Sequence, residues 1–89
     1  MTEPRFDWTA SVRVRSDDPT VVDWIEEALR PEATREVPRA RAELRRGTGG
    51  ALELAIFARD SGAMRAALNT YLGWIHLSFA TARAADRSR

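Results

Sequence analysis

The sequence predicts one α+β domain, in which two helices cover one face of a three-stranded antiparallel sheet in the order β-α-β-β-α. Three observations predict it: segments in which apolar and polar residues alternate, a glycine-rich turn between two of them, and two segments with apolar residues at helical spacing. The 89 residues are few enough for a single domain over 1–89. Because the chain has no cysteine, its stability must come from packing or from association, so we expect partners.

Alternation predicts strands at about residues 5–16, 37–46 and 51–59. Between the last two, Gly47-Thr48-Gly49-Gly50 is a turn rich in the residue that adopts positive φ most cheaply, so these strands form a hairpin. The residues predicted to point toward the core from the first strand are Phe6, Trp8, Ala10, Val12 and Val14.

Two helices are predicted, at about residues 19–30 and 61–84. The first should end near Arg30, because the residue before a proline is biased away from helix. Asp60 or Ser61 can cap the second helix. The stripe of the second helix predicted to face the sheet is Met64, Leu68, Tyr71, Leu72, Ile75, Phe79 and Ala82.

Several apolar residues lie outside the predicted core. Trp24 is displaced toward a flank of the first helix, and Trp74 and Leu77 occupy an arc of the second that the sheet does not require. The tryptophans either close the gap between the two helices or face helices of another protein. An exposed tryptophan forgoes roughly 2–3 kcal/mol of burial, which favours a covering partner. The predicted partner-binding residues are Trp24, Ala28, Ala67, Trp74 and Leu77.

Residues for catalysis or metal binding are scarce. His76 is the only histidine and there is no cysteine, so neither a histidine pair for zinc nor a Cys-His dyad can form. The turn sequence GTGG lacks the Lys-Ser/Thr ending of a phosphate-binding loop. We therefore expect no enzyme activity, no catalytic residues, no metal and no cofactor.

Arginines recur on the solvent side of the predicted strands, where they could contact phosphates. Glu43 and Glu53 could equally pair with them across the hairpin and make an ordinary solvated face. The net charge of +1 lacks the strongly basic balance of an autonomous nucleic-acid binder. The residues that could contact phosphates are Arg13, Arg15, Arg39, Arg41 and Arg45.

The last helix and its approach resemble a known family. Ala58-Arg59-Asp60, followed by MRAALNTYLGWI from Met64, is similar to the "A-x-D…LR-x-x-x-N-(S/T)-(Y/F)-L-x-W" segment of the Pcc subunit of the KEOPS complex. Leu29-Arg30-Pro31-Glu32 resembles the "L-x-P-(D/E)" that closes the first helix in that family. The chain departs from the pattern at Met64, usually Leu, and at Ala33, often Asn.

The resemblance implies a non-catalytic, dimerising subunit. Two copies would associate, and each would offer its two helices to a helical pair on the sugar-kinase-like catalytic subunit of KEOPS, which makes threonylcarbamoyladenosine on tRNA. By the same resemblance, the five arginines named above could help to hold tRNA in the assembled complex. A stand-alone KH-like RNA-binding module that uses the arginine face is the alternative.

The uncharged segment between Arg65 and Arg83 is short for a membrane span and contains polar residues. The N-terminus lacks the pattern of a signal peptide. We therefore expect no membrane span and a cytoplasmic protein.

Overall fold

The structure is a computed structural model that describes residues 6–33 and 39–87. It contains β1 (Trp8–Val14), α1 (Pro19–Ala33), β2 (Ala40–Arg46), a 3₁₀ turn (Thr48–Gly50), β3 (Leu52–Ala58) and α2 (Ser61–Arg87). The strands form one sheet in the order β1-β3-β2, and both outer strands run antiparallel to β3. The predicted fold class and element order are confirmed.

The core lies between the sheet and the helix layer. Alternation along β3 buries Leu52, Leu54, Ile56 and Ala58, and Val22, Ile25 and Leu29 of α1 pack into the same cluster. The α1 helix lies mainly against β2, whereas α2 lies against β3 and β1. Because β1 and β3 run antiparallel, the two helices that follow them begin at opposite ends of the sheet.

The hairpin turn uses its glycines for two different reasons. Gly49 and Gly50 adopt φ of 74° and 80°, the left-handed region that glycine enters without steric cost. At Gly47, by contrast, a Cβ would lie 2.7 Å from the carboxyl carbon of Glu53. Gly47 therefore leaves the room in which the Glu53 carboxylate sits.

Both helices begin with an aspartate cap. Oδ1 of Asp18 accepts a hydrogen bond from the N–H of Thr20 at 2.9 Å, and Oδ1 of Asp60 accepts one from the N–H of Ala63 at 2.8 Å. Asp60 is thus the side-chain cap of α2.

Each helix is about one turn longer than predicted. In α1, the chain continues through Pro31 because Ala33 is buried in the core cluster, so tertiary packing outweighs the proline signal.

Three residues predicted to face the core do not lie there. Trp8 is 49 % exposed because it is the first residue of an edge strand. Phe6 precedes β1, and the guanidinium of Arg41 lies over its ring at 5.4 Å from the centroid, so the alternation does not extend to it. Leu72 is 46 % exposed because it lies on the flank of α2 rather than over the sheet. Residues 5, 37 and 38 of the predicted strands lie outside the described residues.

Candidate partner-binding surface

Both helices expose tryptophan side chains. Trp24 of α1 is 44 % exposed and Trp74 of α2 is 38 % exposed, although the two helices pack against each other. Closing the gap between the helices therefore accounts for only part of the burial that these side chains could gain.

Four of the five predicted partner-binding residues are on the surface. Trp24, Ala28, Trp74 and Leu77 are exposed or nearly half exposed, with Leu77 at 54 %. Ala67 is not on the surface, because it is only 8 % exposed and belongs to the core cluster. In α2 it is placed three residues after Met64 and four before Tyr71, both buried, so helical geometry puts it on the core side.

A row of six uncharged residues runs along the outer side of α2. Successive members are four and three residues apart in turn, which keeps them on one side of a helix. All six are exposed. We call this row the outer seam; its members are Ala66, Thr70, Gly73, Leu77, Ala80 and Ala84. Of these six residues, the predicted partner-binding set includes Leu77 alone, although the repeated spacing of four and three is visible in the sequence.

Hydroxyl groups on and beside the outer seam are already satisfied. Oγ1 of Thr70 donates to the carbonyl oxygen of Ala66 at 2.9 Å, and Oγ1 of Thr81 donates to that of Leu77 at 2.9 Å. Because these donors bond to their own helix, covering them with another protein leaves no unpaired O–H group. Removing water from the outer seam on binding should therefore cost little free energy.

Side-chain size decides how close a second helix can come. Gly73 and the alanines of the outer seam project little, and interaxial distances between packed helices vary from about 8 to 10 Å with the side chains at the contact. A second helix could therefore pack closely against α2 along the outer seam, where Leu77 is the large side chain in the middle.

A comparison with protein families bears on this surface. The family model described as transcription factor Pcc1 matches residues 9–83, which is most of the chain and includes both tryptophan-bearing helices. The chain belongs to the Pcc1 family. No curated protein matches the chain. Pcc1 is a family of KEOPS subunits, and its members are non-catalytic.

In this Pcc1 chain, an ion-pair cluster holds α1 to the edge strand β2. Arg46 of β2 pairs with Asp23 and, at 2.7 Å, with Glu26, and Arg30 pairs with the other oxygen of Glu26. Arg46 also donates to the carbonyl oxygen of Gly50 at 2.9 Å. The hydrogen bond to Glu26 raises the pKa of the Arg46 guanidinium further above its usual range. Sequence reasoning missed Arg46, because it breaks the alternation of β2.

The outer face of the Pcc1 sheet carries its arginines mostly in pairs with acids. Glu53 of β3 accepts from Arg13 of β1 at 2.8 Å and from Arg45 of β2 at 3.1 Å. Hydrogen bonding from Arg13 holds the pKa of Glu53 below its usual value. Burial opposes this lowering, and hydrogen bonding from Arg45 adds to it. The predicted pairing of Glu53 across the hairpin is confirmed.

The remaining three candidate tRNA contacts are dispersed. Arg39 pairs with Asp60, and Arg41 lies 3.6 Å from Glu43 while its guanidinium is 5.0 Å from the centroid of Phe57. Arg15 follows the end of β1 and makes no ion pair within residues 6–33 and 39–87. The arginines therefore do not form one uncompensated basic patch.

Two further kinds of site are absent from the described residues of the Pcc1 chain. Among the described residues, no three His, Asp or Glu side chains come together as a metal ion would require. None of the described helices combines the length and hydropathy needed to cross a membrane.

Proposed function

We propose that this chain is a non-catalytic, dimerising scaffold subunit of the KEOPS complex. It binds the sugar-kinase-like catalytic subunit through α1 and α2 and so supports threonylcarbamoyladenosine modification of tRNA. The observation that carries the proposal is the uncharged outer seam beside the exposed tryptophans on a chain of the Pcc1 family.

The proposed interface follows from what each helix leaves uncovered. A helical pair on the catalytic subunit would pack along the outer seam and against Trp24 and Ala28 of α1, which makes a helical bundle. Covering Trp24, Trp74 and Leu77 would recover on the order of 1–2 kcal/mol for each half-exposed side chain. Ala67 contributes indirectly, since it allows α2 to lie close to the core.

The role of tRNA is secondary in this proposal. Arg13, Arg39, Arg41 and Arg45 each have a carboxylate neighbour that competes with phosphate. We therefore place their contact with tRNA, and that of Arg15, in the assembled complex. No observation favours the alternative of a stand-alone KH-like module.

Co-expression with candidate catalytic subunits tests the proposal. Leu77→Asp places a charge in the middle of the outer seam, and Trp74→Asp removes an exposed tryptophan. Asn69→Asp is the matched control, because it adds the same charge on the exposed polar strip of α2. The wild-type chain and Asn69→Asp should copurify with the catalytic subunit, and Leu77→Asp and Trp74→Asp should not.

Two results would contradict the proposal. One is a wild-type chain that copurifies with no catalytic subunit; the other is a Leu77→Asp chain that copurifies as well as wild type. Circular dichroism of each variant separates loss of binding from loss of folding.

A further inference from the structure

A cleft of about 660 Å³ lies at the end of the sheet where β1 ends and β2 turns into β3. It is lined by residues 15–17, which join β1 to α1, and by residues 48–51 of the hairpin turn. The two segments meet because Val14 pairs with Leu52, which places Arg15 beside Ala51. The volume of the cleft is within the range of about 300–1,000 Å³ that is usual for small-molecule sites.

Arg15 gives this cleft a positive charge that no acid neutralises. Elsewhere on the sheet Glu53 pairs with Arg13 and Arg45, but Arg15 makes no ion pair within residues 6–33 and 39–87. A guanidinium presents several N–H donors in a planar fork that matches the oxygens of a phosphate or a carboxylate. The cleft therefore offers an anion a cation that is not already occupied.

Further hydrogen-bond donors surround the same space. Oγ of Ser16 accepts from the N–H of Asp18 at 3.2 Å, which leaves its own O–H group to donate. The hydroxyl and the backbone N–H of Thr48, and the N–H of Gly49, have no acceptor among the described residues. Successive backbone N–H groups in a turn form a concave site for anions.

The turn holds its shape without a ligand. Gly49 and Gly50 adopt φ of 74° and 80°, and a Cβ on either would have no heavy atom within 4 Å, so the space beside them is open. Arg46 donates to the carbonyl oxygen of Gly50 at 2.9 Å, and the N–H of Gly47 donates to that of Ala51 at 2.7 Å. A turn that is already ordered loses little conformational entropy on binding.

Asp17 is the one carboxylate in the lining of the cleft. It is exposed and makes no ion pair in the part of the chain that the structure describes. It would repel inorganic phosphate, but it can accept hydrogen bonds from hydroxyl groups, as carboxylates do from ribose. The lining thus favours a ligand that has a phosphate at one end and hydroxyl groups at the other.

We propose that the cleft binds a small phosphorylated sugar or nucleotide. Its phosphate contacts Arg15 and the hairpin turn, and its hydroxyl groups donate to Asp17. The inference does not depend on the scaffold role of the chain. Because Arg15 is also among the residues proposed to contact tRNA, a ligand in the cleft would withdraw it from that contact.

NMR titration of the ¹⁵N-labelled full chain with ribose 5-phosphate tests the inference at constant ionic strength. The amide signals of residues 15–17 and 48–51 should shift together and give one Kd. Inorganic phosphate should bind at least about threefold more weakly, because it has no hydroxyl groups that donate to Asp17. Ribose, which has no phosphate, should bind more weakly than either.

Four variants separate the contributions. Arg15→Met should weaken binding of ribose 5-phosphate by about five- to thirtyfold, and Thr48→Val by about two- to tenfold. Asp17→Asn should strengthen binding of inorganic phosphate and remove the preference for ribose 5-phosphate. Arg59→Met is the control and should bind as wild type does, because Arg59 is an exposed arginine without an ion pair in the described residues, at the opposite end of the sheet.

Three results would overturn the inference. One is the absence of shifts at residues 15–17 and 48–51 with millimolar ribose 5-phosphate. Another is equal weakening by Arg15→Met and Arg59→Met, which would mean that net charge alone attracts the ligand. The third is a 5′-phosphorylated oligoribonucleotide that shifts the same signals at far lower concentration than ribose 5-phosphate, which would make RNA the ligand. Copurification with the catalytic subunit tests the proposed function separately.

Discussion

Each side of the domain is a helix packed on the sheet, but the two sides differ in the side chains that border the helix. On one side, α1 covers β2 and is fixed to it by Arg46, Asp23 and Glu26. On the other side, α2 covers β3 and β1 and leaves Leu72 and Leu77 exposed on different flanks, about 140° apart around the helix. A small domain that pairs one helix with the sheet through ion pairs, yet leaves Trp24 exposed on that helix and two leucines exposed on the other, is suited to a role in assembly.

The largest expected effect compares two leucines on the two sides. Leu29 of α1 is fully buried, whereas Leu72 of α2 is 46 % exposed. Leu29→Ala should lower the free energy of unfolding by about 2–5 kcal/mol, because it leaves a cavity in the core. Leu72→Ala should change it by less than about 1 kcal/mol at a concentration where the chain is monomeric. Urea titration measures both, and equal losses would show that Leu72 belongs to the core.

The next effect concerns the closed side. Arg46→Met keeps most of the apolar stem but removes the ion pairs with Asp23 and Glu26. It should lower Tm by only a few degrees, because the ion pairs that are lost are exposed and each contributes little to stability. Arg65→Met is the control, because Arg65 makes no ion pair in the described part of α2. If the Tm of Arg46→Met matches that of the control, the ion-pair cluster does not stabilise the packing of α1 on β2.

Glu53 joins the two sides, since it pairs with Arg13 of β1 and Arg45 of β2. Its pKa in the folded chain lies below the unfolded value of 4.5. Its contribution to stability is therefore present above pH 4.5 and is lost as the pH falls through the folded pKa. Thermal unfolding at a series of pH values should show that Glu53→Gln lowers Tm more at pH 6 than at pH 3. An equal loss at both would contradict the assignment.

The smallest expected effect is at Gly47, beside the same carboxylate. Gly47→Ala puts a Cβ where Glu53 now sits, so the carboxylate must move away from its arginines. Because the φ of Gly47 is −97°, the backbone itself tolerates alanine. Gly47→Ala should lower Tm slightly in the wild type and should be neutral or stabilising in a Glu53→Ala background. Identical shifts in both backgrounds would show that Gly47 and Glu53 are not coupled.

Much of the fold could be predicted from local pattern, because burial on one face imposes a period on each element. The alternation of β3 and the helical spacing of α1 gave the layers, and the GTGG turn gave the hairpin. Phe6, Trp8 and Leu72 were misplaced, because a wheel or an alternation cannot show where neighbouring elements stop covering a face.

The exposed residues that we propose as a partner-binding surface could be predicted in part. Trp24 and Trp74 stand out by size at positions that the core does not require, whereas Ala67 was placed on the wrong side by a small error of angle. The pairing of Arg46 with α1 depends on which helix lies over which strand, and no local pattern carries that information.

The central claim is that the outer seam of α2, and not the flank that carries Leu72, is the surface proposed to bind the catalytic subunit. Leu72→Asp and Leu77→Asp place the same charge five residues apart on one helix, at two leucines that are both exposed, and each variant is assayed for copurification with the catalytic subunit. We expect Leu72→Asp to copurify with the catalytic subunit and Leu77→Asp to lose it. If both variants lose the catalytic subunit, or if only Leu72→Asp does, the account is wrong.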